Sequence, residues 1–183
     1  VVLPRVPAWY EVIIGCIKAG VVAMPGTNLL TAKDIEYRIN KSQATTIVVS
    51  AEHAAKIDSI RDSCPSLKHL ILVGGDESGW INYEKGCAGA SDEVEPAAVC
   101  RSRSDDMMMA YFTSGTTSFP KMVPRDHGYA LGHAITGRYW MGLREDDVHW
   151  TLSDTGWAKA AWGMLFPQWL FGSAVVLYDG DPR

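Results

Sequence analysis

Paired cysteines, surplus positive charge and uninterrupted apolar length are what this chain has least of. Its cysteines are Cys16, Cys64, Cys87 and Cys100, and no two stand close enough for a metal-type or redox pair, so a reducing, cytoplasm-like compartment is the expectation. Cys16 falls on an apolar helix face and reads as a small hydrophobe, not a reactive thiol. With 17 Lys plus Arg against 21 Asp plus Glu, the chain lacks the basic excess of a dedicated nucleic-acid surface. Small anionic ligands stay open, because a local loop can bind them. The one charge-free stretch of membrane-spanning length, residues 160–178, is interrupted by Pro167-Gln168 and Gly172-Ser173 and ends in β-rich residues. It parses as a buried helix, a turn and a buried strand over 174–178, so no transmembrane span is expected. No signal peptide opens the chain, which leaves an organelle matrix open only if a targeting segment precedes it. Internal repeats and low-complexity tracts are missing too.

What is present is a core. Of 183 residues, 47% are hydrophobic and 21% charged, which excludes disorder and suffices for one large domain or two small ones. Val1 stands where a Met is expected, and Asp181-Pro182-Arg183 follow a strand-like run, the pattern of a piece cut from a longer protein.

Strand-like and helix-like runs alternate. Val1-Val2-Leu3 reads as a strand end, and Trp9, Val12, Ile13, Cys16 and Ile17 recur at helical spacing up to Gly20. Residues 21–24 read as the next strand. Thr31 has the pattern of a helix N-cap, with Asp34 at the third helical position and Leu30 placed to staple onto Ile35. That helix should run to about Lys41, followed by a strand at 46–50, a helix at 53–62 and a strand at 69–73. Residues 74–103 read as loops around a short helix near 83–87. The apolar run 107–112 has the character of a strand buried on both faces. Beyond it are expected a loop, a helix over 127–140, a strand at 148–152 and a helix over 157–165. The fold class is α/β, with layered, mostly parallel sheets flanked by helices.

The chemistry concentrates in Thr113-Ser114-Gly115-Thr116-Thr117-Ser118-Phe119-Pro120-Lys121. This run leaves a buried strand at its C-terminal end, where open α/β sheets place ligands. Five of its nine residues carry hydroxyls; together with backbone N–H groups these can surround phosphate oxygens, while Lys121 supplies a point charge. It is no Walker A loop, since Pro120 precedes Lys121 and Met122 follows it. Read bare, an ordinary Ser/Thr/Gly turn is an equal alternative.

The same residues resemble the T-S-G-T-T-G-x-P-K motif of the AMP-binding, adenylate-forming synthetase superfamily, departing only at Ser118, where the family usually has Gly. A left-handed backbone there would cost Ser about 1 kcal/mol. Residues 18–25 resemble the family's K-A-G-A-V-x-x-P segment and residues 30–38 its L-T-x-x-E-L-x-Y-R helix, both read as scaffold. Ser153-Asp154-Thr155-Gly156-Trp157 is similar to the S-D-x-G-W stretch of medium-chain acyl-CoA and acetyl-CoA synthetases, where the position of Trp157 lies beside the acyl group. Trp162 and Trp169 read as core. His127 and His133 read as packing or hydrogen-bonding residues.

The resemblance implies a ligase that joins a small-molecule carboxylate to ATP as an acyl adenylate and then to coenzyme A. Thr113, Ser114, Thr116, Thr117 and Lys121 would grip the β- and γ-phosphates with Mg²⁺ bridging them, Lys121 and Thr116 being the catalytic pair and Trp157 the acyl wall. It also implies that residues 1–183 are part of a large N-terminal domain whose C-terminal partner domain lies elsewhere, and that the segment alone does not turn over. The family's aromatic-Gly-x-Thr-Glu segment, which carries a Mg²⁺-binding Glu, is not found. The alternatives are an aryl-CoA ligase, a peptide-synthetase adenylation domain, or a non-catalytic truncated nucleotide-binding module.

Overall fold

Pro7 opens helix α1 (Pro7–Ala19), where a missing N–H costs nothing, and Gly20 closes it in the left-handed region at φ 67°. Trp9, Tyr10 and Ile13 bury its inner face. The computed structural model describes residues 1–93, 101–113 and 119–180. Helix α2 (Ala32–Ser42) begins with the expected capping box. The Thr31 hydroxyl accepts from the Asp34 N–H at 3.2 Å, while the Asp34 carboxylate accepts from the Thr31 N–H at 2.9 Å. The Thr31 hydroxyl also donates to that carboxylate, which holds Asp34 below the ordinary carboxylate range.

Strands β1 (Thr46–Ser50), β2 (His69–Val73) and β3 (Ile81–Asn82) form a parallel sheet. Between the first two, the expected helix over 53–62 is broken into two 3-10 turns around a short α3 (Ala54–Asp58). The break has a local cause: the Ser59 hydroxyl donates back to the Lys56 carbonyl, and Ile60 N–H bonds Ile57 O, tightening the chain. Helix α4 (Tyr83–Ala88) follows, capped by the Asn82 side chain. The sheet then continues through two unassigned strips. Val2 bridges Val49 in parallel, the Val1 nitrogen and carbonyl bond Met24 O and Gly26 N, and Ala23 bridges Met109 in parallel.

Met109 belongs to β4 (Met107–Thr113), whose middle residues are buried as expected. Part of the stretch expected as loop is a strand. The chain returns as β5 (Lys121–Asp126), antiparallel to β4, in register from Thr113↔Lys121 to Ala110↔Pro124 and beyond. Pro124 has no N–H for a further strand, which suits an edge.

Helix α5 (Gly128–Thr136) widens into a π turn (Gly137–Met141) in place of the single helix over 127–140. Strand β6 (Val148–His149) is shorter than expected. The second helical run goes on past Leu165: α6 (Ala158–Ala160), a π turn (Ala161–Leu165) and α7 (Phe166–Leu170) succeed one another. Pro167 does not end the run, because it sits in the first turn of α7, where no N–H is needed. The turn comes at Gly172, φ 73°. The buried strand over 174–178 is also corrected. Among the described residues strand β7 (Ala174–Val175) pairs with the two-residue β6 alone; Val175 and Leu177 pack on the core, and Val176 and Tyr178 are exposed.

Val48 joins one apolar cluster with α1, β4 and residues 160–166, while Ile47 and Val49 join another with α2, α3 and β2. Alternation along β1 therefore puts the clusters on opposite faces of the sheet. No described helix is long and apolar enough to cross a membrane. Cys16 is half-buried and Cys64 buried, both as free thiols raised by desolvation.

Thr31→Ala removes the cap and should cost about 1 kcal/mol, seen as a fall of about 2–4 °C in thermal midpoint. His133 packs between Tyr129 and Phe166 with its Nε2 buried and unpartnered. Burial lowers its pKa below the ordinary 6.5. The unfolded chain therefore takes up a proton first, so the stability due to the neutral ring is complete above about pH 6.5 and is lost as pH falls through the lower folded value. His133→Gln should show a smaller drop in unfolding midpoint than the parent over that window.

Candidate functional site

Thr113 closes β4 and Lys121 opens β5, and they are cross-strand partners. Antiparallel register thus sets a hydroxyl and an ammonium group at the two lips of one loop, both exposed. Lys121 forms no ion pair among the described residues. This is a suitable mouth for a phosphate group, since an uncommitted cation and a hydroxyl donor face solvent together. Ser114, Gly115, Thr116, Thr117 and Ser118 lie outside the described residues; of the nine expected loop residues, Thr113, Phe119, Pro120 and Lys121 are placed.

The far lip is held by a residue that sequence reasoning assigned to scaffold. Tyr37 on α2 donates its hydroxyl to the Pro120 carbonyl at 3.0 Å. Its ring stacks on Phe119 at 5.0 Å and meets Phe112 edge-on at 6.2 Å. Arg38 lies over Phe112 at 5.2 Å, and burial lowers its pKa. The available signal was an aromatic-Arg pair off the apolar face set by Ile35 and Ile39.

The stretch 153–157 is fixed from below. The Thr155 hydroxyl donates to Leu3 O at 2.5 Å, and Thr27 donates to the Asp154 carboxylate at 2.6 Å. Asp154 also accepts the Gly156 N–H at 2.8 Å. Gly156 passes so near residues 26–27 that an added Cβ would lie 1.9 Å from the Thr27 nitrogen. Trp157, directly after this anchor, is 58% exposed. Trp162 is half-buried against Trp140, with its indole N–H donating to the Thr136 hydroxyl. Trp169 is not core: it is 48% exposed and stacks on Tyr10 from the outer side of α7.

The stretch 27–37 touches both parts, through Thr27 to Asp154 and through Tyr37 to Pro120. His127 is half-buried at the start of α5, its backbone N–H donating to Asp106 O. Among the described residues no three His, Cys, Asp or Glu side chains gather to hold a metal ion.

The family model described as AMP-binding enzyme matches residues 1–183. The mitochondrial acyl-coenzyme A synthetase ACSM4 of Mus musculus is 43% identical over 180 residues, covering 97% of this chain and 30% of that protein. The mitochondrial ACSM5 of Homo sapiens is 41% identical with the same coverages. The chain thus spans about 30% of the length of the curated relatives it matches. Among solved structures, an anthranilate CoA ligase, AuaEII, in complex with anthranoyl-AMP superposes at TM-score 0.89 with 27% identity, over 98% of this chain and 35% of that one. An acyl-CoA synthetase of Brucella canis superposes at 0.85 with 29% identity, over 98% and 32%.

Gly156→Ala must push two backbone segments apart. It should cost at least the ~3 kcal/mol upper range of overpacking, read as a large loss in chemical-denaturation midpoint, whereas Gly132→Ala, in open space, should leave the midpoint nearly unchanged.

Proposed function

The chain belongs to the AMP-binding enzyme family, and from that premise we propose that the protein carrying it is an acyl-CoA synthetase that activates an aliphatic carboxylate. In the first half-reaction a carboxylate oxygen attacks the α-phosphorus of ATP and the bond to pyrophosphate breaks. In the second, the sulfur of coenzyme A attacks the acyl carbon and AMP leaves. Charge builds on phosphate oxygens in the first half, so positioned donors and cations lower its barrier.

The observation that carries the reading is the cross-strand pairing of Thr113 with Lys121 at one exposed mouth. Lys121 supplies the ammonium charge for the β- and γ-phosphates and Thr113 a hydroxyl donor. Ser114, Gly115, Thr116, Thr117 and Ser118 complete the phosphate contacts by resemblance, with Thr116 the second catalytic group. Trp157 forms one wall for the acyl group, where each buried methylene contributes about 0.8 kcal/mol of affinity. Mg²⁺, expected with the nucleotide, finds no ligand cluster among the described residues, and no step here runs through it.

An aryl acid as substrate is the second reading, favoured by the superposition on the anthranilate ligase. The aliphatic reading rests on the 153–157 stretch and on the higher identity to acyl-coenzyme A synthetases. ATP–pyrophosphate exchange with a panel of aliphatic and aryl acids, on the protein expressed from its full reading frame, separates them. In that assay Lys121→Ala should lose about 100-fold or more in exchange rate; an unchanged rate removes Lys121 from the phosphate site.

A further inference from the structure

We propose that Tyr37, on a helix remote in sequence from the loop, is a positioning residue for Lys121 and so for the adenylation step. The inference rests on the acyl-CoA synthetase reading above and adds a residue that reading does not need.

Helix α2 is a firm base for such a role. Its capping box fixes its start, and Ile35 and Ile39 sink its inner side into the β1–β2 cluster. Tyr37 leaves that helix in another direction and reaches the far lip of the loop in two ways at once. The phenol hydroxyl donates to Pro120 O, the carbonyl of the peptide unit that ends in the Lys121 nitrogen. The ring meanwhile stacks on one face of Phe119, the residue before Pro120. Phe119 is already confined to extended backbone by the proline that follows, and Pro120 has its φ set by its own ring. The remaining freedom is the tilt of the Pro120–Lys121 peptide plane, which the hydrogen bond from Tyr37 takes up. On its other side Lys121 is held by its pairing with Thr113. Phe112, next to Thr113, packs under the edge of Tyr37 and beneath Arg38. One aromatic ring therefore touches both lips, and the backbone that carries the ammonium group is oriented before any ligand arrives. Small displacements of a charge-stabilising group cost rate much more than they cost folding.

The test uses the protein from its full reading frame. Tyr37→Leu removes both contacts, and Tyr37→Phe keeps the stack while losing the hydrogen bond. Tyr37→Leu is expected to lower the maximal ATP–pyrophosphate exchange rate by about tenfold or more with the KM for the carboxylate within about twofold. Tyr37→Phe should recover a large part of that rate. Hydrogen exchange at the Lys121 amide, read without nucleotide, should speed up more than about fivefold in Tyr37→Leu while exchange in β1 and β2 stays at the parent level. A Tyr37→Leu protein with parental rate and parental Lys121 protection overturns the proposal. If Tyr37→Leu fails to fold, Tyr37→Phe decides alone: faster Lys121 exchange with a reduced rate upholds the proposal, and parental values for both overturn it. A parent protein with no carboxylate-dependent exchange activity defeats the synthetase reading instead, and the Lys121 amide then still reports whether Tyr37 holds the lip.

Discussion

Two strips of chain too short to count as strands hold the sheet together. Val1–Leu3 sits between β1 and the 24–26 segment, and residue 23 continues to β4 through Ala23 N–H to Met108 O and Ala110 N–H to Ala23 O. These backbone bonds join the β1–β2–β3 sheet to the β4–β5 hairpin edge to edge, and the apolar cluster shared by Val48 and β4 joins them through the core. The strips also bear the rest of the site. Leu3 O accepts Thr155, and Gly26-Thr27 form the surface against which Gly156 closes. Hydrogen-bonding order at residues 1–3 and 23–27 thereby sets the position of a tryptophan more than a hundred residues away.

The chemistry is divided between a rigid supply of geometry and exposed reacting groups. Thr113, Lys121 and Trp157 are all exposed, and each follows or precedes a residue that is firmly held. For Lys121 the holder is Pro120, bonded by Tyr37; for Trp157 it is Gly156, pressed on Thr27. An exposed side chain on a fixed backbone is free to meet a ligand without the backbone entropy that a mobile loop would lose.

Local signals were legible where one residue type has one physical use. Thr31 with Asp34 announced a helix start, Gly20 announced the end of α1, and the apolar run 107–112 announced a buried strand. The loop motif and the 153–157 stretch identified the family. What escaped were features that depend on a distant partner. Strand β5 reads as Lys-Met-Val-Pro-Arg-Asp, with a proline and three charges, and only its pairing with β4 makes it a strand. The run 174–178 looks buried by composition, yet only Val175 and Leu177 pack on the core while Ala174, Val176 and Tyr178 face outward, one side of the run being without a described covering element. Tyr37 looked like scaffold because its contacts are 75 or more positions away: Phe112, Phe119 and Pro120. Pro167 looked like a helix end, and only its place in a first turn shows otherwise.

The antiparallel register of β4 and β5 has a consequence for how this segment tolerates change. The gap between Thr113 and Lys121 is set by strand pairing, and Phe119 and Pro120 at its far end are set by Tyr37. A change at α2 or at either strand is therefore felt at the lips of the loop, while the two lips need no ligand to hold them at their spacing.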